Sequence, residues 1–74
     1  MLETSEIKKM IEDGIPGAVA TVSGDGYKYE AHVVSDQFKG LSTMKQHQMV
    51  YATVNEHITS GALHALSLKT AAAE

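Results

Sequence analysis

The sequence contains no cysteine, no arginine, one proline and one phenylalanine. Without cysteine there is no disulfide, and this chain alone makes no thiolate metal site. Without arginine it lacks the planar fork on which specific base readout and phosphate clamps lean. No stretch approaches the roughly 20 apolar residues of a membrane span. Met1–Met10 carries Glu3, Glu6, Lys8 and Lys9 and no apolar run, so no signal peptide is expected and a cytoplasmic address is. No period repeats, and no segment is of low complexity.

What remains is 74 residues with a net charge of −3. Such a chain makes one small domain, 1–74, around one core of marginal stability. It has little room for a cavity enclosing both substrate and catalytic groups, which favours a binding or adaptor module over an enzyme. The six lysines are scattered, and only Lys8 and Lys9 are adjacent. That pattern argues against a nucleic-acid binder, although a local basic face is compatible with it.

Residues 4–13 read as a short amphipathic helix. Thr4 or Ser5 offers the cap, and Ile7, Met10 and Ile11 form the buried stripe at i, i+3, i+4. Gly14 ends it and Pro16 prevents its resumption. Ala18–Val22 is a strand. Asp25-Gly26, lying between two strand patterns, is a strong hairpin signal because the turn needs positive φ. Tyr27–Val34 alternates, with Tyr27, Tyr29, Ala31 and Val33 toward the core and Lys28, Glu30, His32 and Val34 away from it. Phe38 anchors the exit turn, and a brief helical turn is expected around 36–39. Ser42 or Thr43 caps a helix over 43–59. There Val50, Val54 and Ile58 repeat, with His47 and Tyr51 on the same side. Ser60-Gly61 stops it. Leu63–Lys69 is the third strand, free to add in parallel, and 71–74 is expected to fray. Helices on one face of a three-stranded mixed sheet give an α+β two-layer sandwich.

The candidate chemistry lies in the histidines. His32 shares the solvated strand face, and His57 stands beside Glu56 on the helix. His47 precedes Tyr51 by one helical turn, so the two side chains can touch. His64 opens an apolar strand, which makes it either a satisfied core histidine or a ligand at a rim. Gly24-x-Gly26 lacks the third glycine and following helix of a phosphate loop. No nucleophile-elbow pattern is present, and no enzyme is expected.

Taken together, Phe38-x-Gly40, then Lys45-Gln46-His47-Gln48-Met49-Val50-Tyr51, then His64-Ala65-Leu66-Ser67, resemble the BolA family. Val33-Val34-Ser35-Asp36-x-Phe38 and the hairpin Val22-Ser23-Gly24-Asp25-Gly26 look like its short bacterial, acid-stress-linked branch. The resemblance covers nearly the whole chain. It implies a class II KH-like fold of order αββααβ and partnership with a monothiol glutaredoxin of the CGFS type. It also implies a shared [2Fe–2S] cluster, held only in the complex. Glutaredoxin and glutathione would give the thiolates and His64 the imidazole, a mixed ligation of a known kind. The chain would be a monomer alone and a heterodimer with its partner. Gly24, Asp25, Gly26 and Lys28 would lie in the loop near the cluster. Lys39, Gly40, Lys45, Gln46, His47 and Tyr51 would form a partner or nucleic-acid surface, and DNA binding is the alternative function. Two departures stand out. Many members carry a cysteine or histidine in the hairpin loop, and Ser23–Lys28 has neither. The family's arginine before the helix histidine is Gln46 here.

Overall fold

A computed structural model of the chain describes residues 3–59, 63 and 65–73. Its elements are helix α1 (Thr4–Gly14), strands β1 (Val19–Gly24) and β2 (Lys28–Ser35), a 3-10 turn (Asp36–Phe38), helix α2 (Thr43–Thr59) and strand β3 (Ala65–Ala72). The order αββααβ holds, with the 3-10 turn as its second helical member.

Three local features start these elements. The first helix begins at Thr4 as expected, but its cap is Glu3, whose N–H donates to Glu6 Oε1 at 3.3 Å. Thr4 is already helical, so neither Thr4 nor Ser5 is the cap. The hairpin turn has Gly26 at φ 92°. Ser42 Oγ accepts from the Lys45 N–H at 3.3 Å and so caps α2.

The sheet has the order β1-β2-β3. β1 pairs antiparallel with β2, with Thr21 opposite His32 and Ser23 opposite Glu30. β3 adds in parallel to β2, with Lys28 opposite Ala65 and His32 opposite Lys69. The strand runs on to Ala72, so Ala71 and Ala72 pair with Val34 and Ser35 rather than fraying. Ala73 still donates its N–H to the Ser35 carbonyl at 3.1 Å. An alanine run has no alternation to reveal a strand; its pairing comes from the central strand beside it.

The core lies between the sheet's inner face and the two helices. Ile7 and Ile11 of α1, Val50 and Val54 of α2, and Ala20, Tyr29, Ala31 and Val33 of the sheet are all buried. Phe38 is completely buried and pins the exit turn, as expected of a lone aromatic beside a turn. Leu63 is buried just before β3 rather than within it, and its N–H donates to the His57 carbonyl at 3.0 Å. The Ser60-Gly61 stop lies outside the described residues.

One expectation about α2 fails. Ile58 and Tyr51 do not continue the buried stripe of Val50 and Val54; they are 37% and 38% exposed. At about 100° per residue, eight residues carry Ile58 about 80° round the helix from Val50, off the core. His47 is half-buried.

Candidate functional site

Two regions hold the residues singled out by the sequence. The first is the hairpin end of the sheet. Asp25 folds its carboxylate back on its own loop, where Oδ1 accepts the N–H groups of Lys28 and Tyr27, each at 2.9 Å. Its backbone N–H donates to the Lys28 carbonyl at 3.2 Å. The Lys28 amide first, then that of Tyr27, holds the Asp25 carboxyl below the usual range, because both bonds favour the charged form. Asp25 is therefore a turn-forming group with one oxygen committed.

The parallel register sets β3 beginning against this hairpin, since Lys28 lies opposite Ala65. Ser23, Gly24, Asp25, Lys28, Glu30, Ala65 and Ser67 line a shallow depression there, together with Tyr29. The recess is open to solvent. His64, the residue before Ala65 in the chain, lies outside the described residues. Among the described residues no three of His, Cys, Asp and Glu come together as a metal site. His32 is exposed on the outer sheet face, in a row with Thr21 and Lys69.

The second region is the start of α2. Here the six residues expected to share one surface divide. Lys39 and Gly40 are exposed on the turn before the helix. Lys45 is exposed on the flank of α2 that also carries Gln48 and Met49, beside Leu41. Gln46 points inward, half-buried. Its Nε2 donates to the carbonyls of Leu41 at 2.9 Å and Phe38 at 3.4 Å. Its Oε1 accepts from Thr70 Oγ1 at 2.7 Å. Gln46 thus ties the Phe38–Leu41 turn to β3, and its amide is spent inside the protein. His47 and Tyr51 lie on the opposite flank from Lys45, because they follow it by about 200° and 600° of helical rotation. Tyr51 Oη donates to the Leu66 carbonyl at 3.2 Å, not to His47.

A third feature joins α1 to β1. Lys8 and Glu12 of α1 form an ion pair at 2.7 Å. Lys8 Nζ also donates to the Ala20 carbonyl at 2.8 Å, and Glu12 Oε2 accepts the Ala20 N–H at 3.0 Å. The Lys8 bond first, then the Ala20 amide, lowers the Glu12 carboxyl. One i,i+4 pair thereby covers both backbone groups that Ala20 of β1 turns to the free side of the sheet. Its spacing is visible in the sequence; its target is not.

Known proteins resemble the chain over nearly its whole length. A family model of BolA-like proteins matches residues 8–74. The acid stress protein IbaG of Escherichia coli K12 is 32% identical over 68 residues, covering 92% of this chain and 81% of that one. The solved structure of a bolA protein homologue from Coxiella burnetii superposes with a TM-score of 0.84 at 38% identity. That match covers 95% of this chain and 90% of the other. The BolA domain of SufE1 from Arabidopsis thaliana shares the fold, with a TM-score of 0.80 at 24% identity, over 97% of this chain and 95% of that one.

Proposed function

Because the chain belongs to the BolA-like family, we propose that it is a non-enzymatic adaptor that binds a monothiol glutaredoxin and helps carry or sense a [2Fe–2S] cluster. The family match over residues 8–74 carries this reading. Two properties of the chain support it. There is no cysteine, so any cluster it engages takes its thiolates from elsewhere. The donor left to this chain is a neutral imidazole, and we assign that role to His64. Ala65, its chain neighbour, pairs beside the open hairpin recess, where a partner's surface has access.

The chemistry asked of the chain is modest. It presents one nitrogen ligand in place of a thiolate, which makes the cluster less negative and raises its reduction potential. The hairpin supplies no second cysteine or histidine, so thiolate exchange onto this chain is not part of the reading. A stress-response role is proposed by analogy with the acid stress protein IbaG.

An NMR titration of labelled protein with a CGFS glutaredoxin, with and without cluster, tests the proposal. Shifts centred on His64, Ala65 and residues 23–28 are expected. Absence of any shift would remove the partner reading. DNA binding is the weaker alternative, since Lys39 and Lys45 are the only cations of the proposed surface and the amide of Gln46 is turned inward.

A further inference from the structure

The two free edges of the sheet are treated differently. The β1 edge is bracketed at Ala20, whose C=O and N–H are taken by Lys8 and Glu12. Charged side chains laid over an edge are a standard guard against further pairing. The β3 edge has no such cover along most of its length. In a parallel ladder alternate residues direct both backbone groups to one side. Ala73 donates toward β2, to Ser35, so the odd-numbered residues of β3 face β2. Leu66, Leu68, Thr70 and Ala72 therefore turn their N–H and C=O groups outward. Among the described residues, only the Leu66 carbonyl of these is capped, by Tyr51 Oη at 3.2 Å.

Helix α2 extends the apolar layer past this edge. Met44, Tyr51 and Ile58 recur every seven residues, a spacing that drifts only about 20° per step. They form one stripe, and they are 71%, 38% and 37% exposed. The stripe lies on the β3 side of α2, because Tyr51 reaches Leu66 while Thr53, on the opposite flank, packs against Gly14 of α1. A fourth strand beside β3 would bury its inner side chains against this stripe.

One charge selects the occupant. Lys69 is the sole charged residue of β3, exposed on the outer sheet face. A second copy pairing antiparallel about a two-fold axis at Leu68, Lys69 or Thr70 would bring the two Lys69 side chains directly opposite or diagonal to each other. Diagonal neighbours are about 7–8 Å apart, within the Debye length at physiological salt. Lys69 therefore opposes self-pairing and favours a foreign strand with a carboxylate at that place.

We propose that the β3 edge, from Leu68 to Ala72, takes an extended segment of another protein. That segment is apolar on the side facing Met44 and Tyr51 and acidic opposite Lys69. The pairing depends on the edge backbone, on packing and on the Lys69 charge, and needs neither a cluster nor His64.

The test uses a capped synthetic peptide of alternating valine and threonine with one glutamate placed to face Lys69. One control carries lysine at that place; another is N-methylated on its pairing edge. The glutamate peptide is expected to slow exchange of the Leu68 and Thr70 amides about tenfold at saturation, and the N-methylated one to have no effect. Lys69→Glu, at an exposed position, should fold normally and reverse the preference to the lysine peptide by about two- to fivefold, the range of a cross-strand charge pair. No protection at millimolar peptide, or equal protection by the N-methylated peptide, would overturn the proposal. Protection that rises with protein concentration alone would assign the edge to a second copy and overturn it equally.

Discussion

Removing the Gln46 amide should loosen the whole second half of the domain. In Gln46→Ala the Leu41 carbonyl loses a donor at 2.9 Å and Thr70 Oγ1 loses an acceptor at 2.7 Å. The contact to Phe38 at 3.4 Å is weak and adds little. A net hydrogen bond contributes about 1 kcal/mol, and this half-buried site lets water replace part of it, so the expected loss is about 1–2 kcal/mol. For a domain of this size that is roughly a 4–15 °C fall in Tm. Urea unfolding of Gln46→Ala, Thr70→Val and the double variant would isolate the Gln46–Thr70 link as a coupling energy. Gln46→Glu sharpens the test. Its carboxylate would face two carbonyl oxygens with no proton to donate, so its pKa should be raised in the folded state. A raised folded pKa confers stability that is full below the unfolded value and lost as pH rises through the folded one. The Glu variant should therefore be more stable in acid than at neutral pH, relative to the parent. If Gln46→Ala stays within about 0.5 kcal/mol of the parent and Gln46→Glu shows no such pH dependence, the internal tie carries no weight.

Other outcomes follow from the same structure. Gly40 sits at φ 79° with nothing near the position of a Cβ, so Gly40→Ala should cost about 1–2 kcal/mol of backbone strain alone, and Gly40→Asn less, by thermal unfolding. Glu12 has a lowered carboxyl, so its contribution is present above its unfolded value of 4.5 and lost as pH falls through the folded one. Exchange at the Ala20 amide should accelerate, relative to other strand amides, on acidification below that value, and Glu12→Gln should abolish this step; an unchanged profile would refute the edge bracket. If Lys39 and Lys45 bind a nucleic-acid backbone, log–log salt titration should give a slope near −2 at most, and an immeasurable affinity at low salt would remove the DNA reading.

Much of the fold was legible because local chemistry and global packing agree. Asp25-Gly26 made the turn, Phe38 filled the core, and Ser42 began a helix over the span expected. The parallel addition of β3 followed from its entry after a helix. The failures have physical causes. Ala71 and Ala72 carry no pattern, and only their pairing with Val34 and Ser35 makes them strand. Tyr51 and Ile58 look core-facing on a four-residue repeat, but the 3.6-residue turn rotates them outward. Gln46 read as a lost cation on a surface, yet its partners Leu41 and Thr70 are brought to it by tertiary structure. Adjacency in sequence does not place motif residues on one face. On a helix Lys45, Gln46 and His47 point in three directions.

His64 is the ligand proposed to reach a partner's cluster. The direct test mixes the protein with a CGFS glutaredoxin, iron, sulfide and glutathione, then compares absorption, circular dichroism and EPR spectra for the parent and His64→Ala. The parent complex should give a spectrum distinct from that of the glutaredoxin homodimer, with the distinction lost in His64→Ala while the cluster-free complex still forms. An unchanged mixed-complex spectrum in His64→Ala would contradict the assignment.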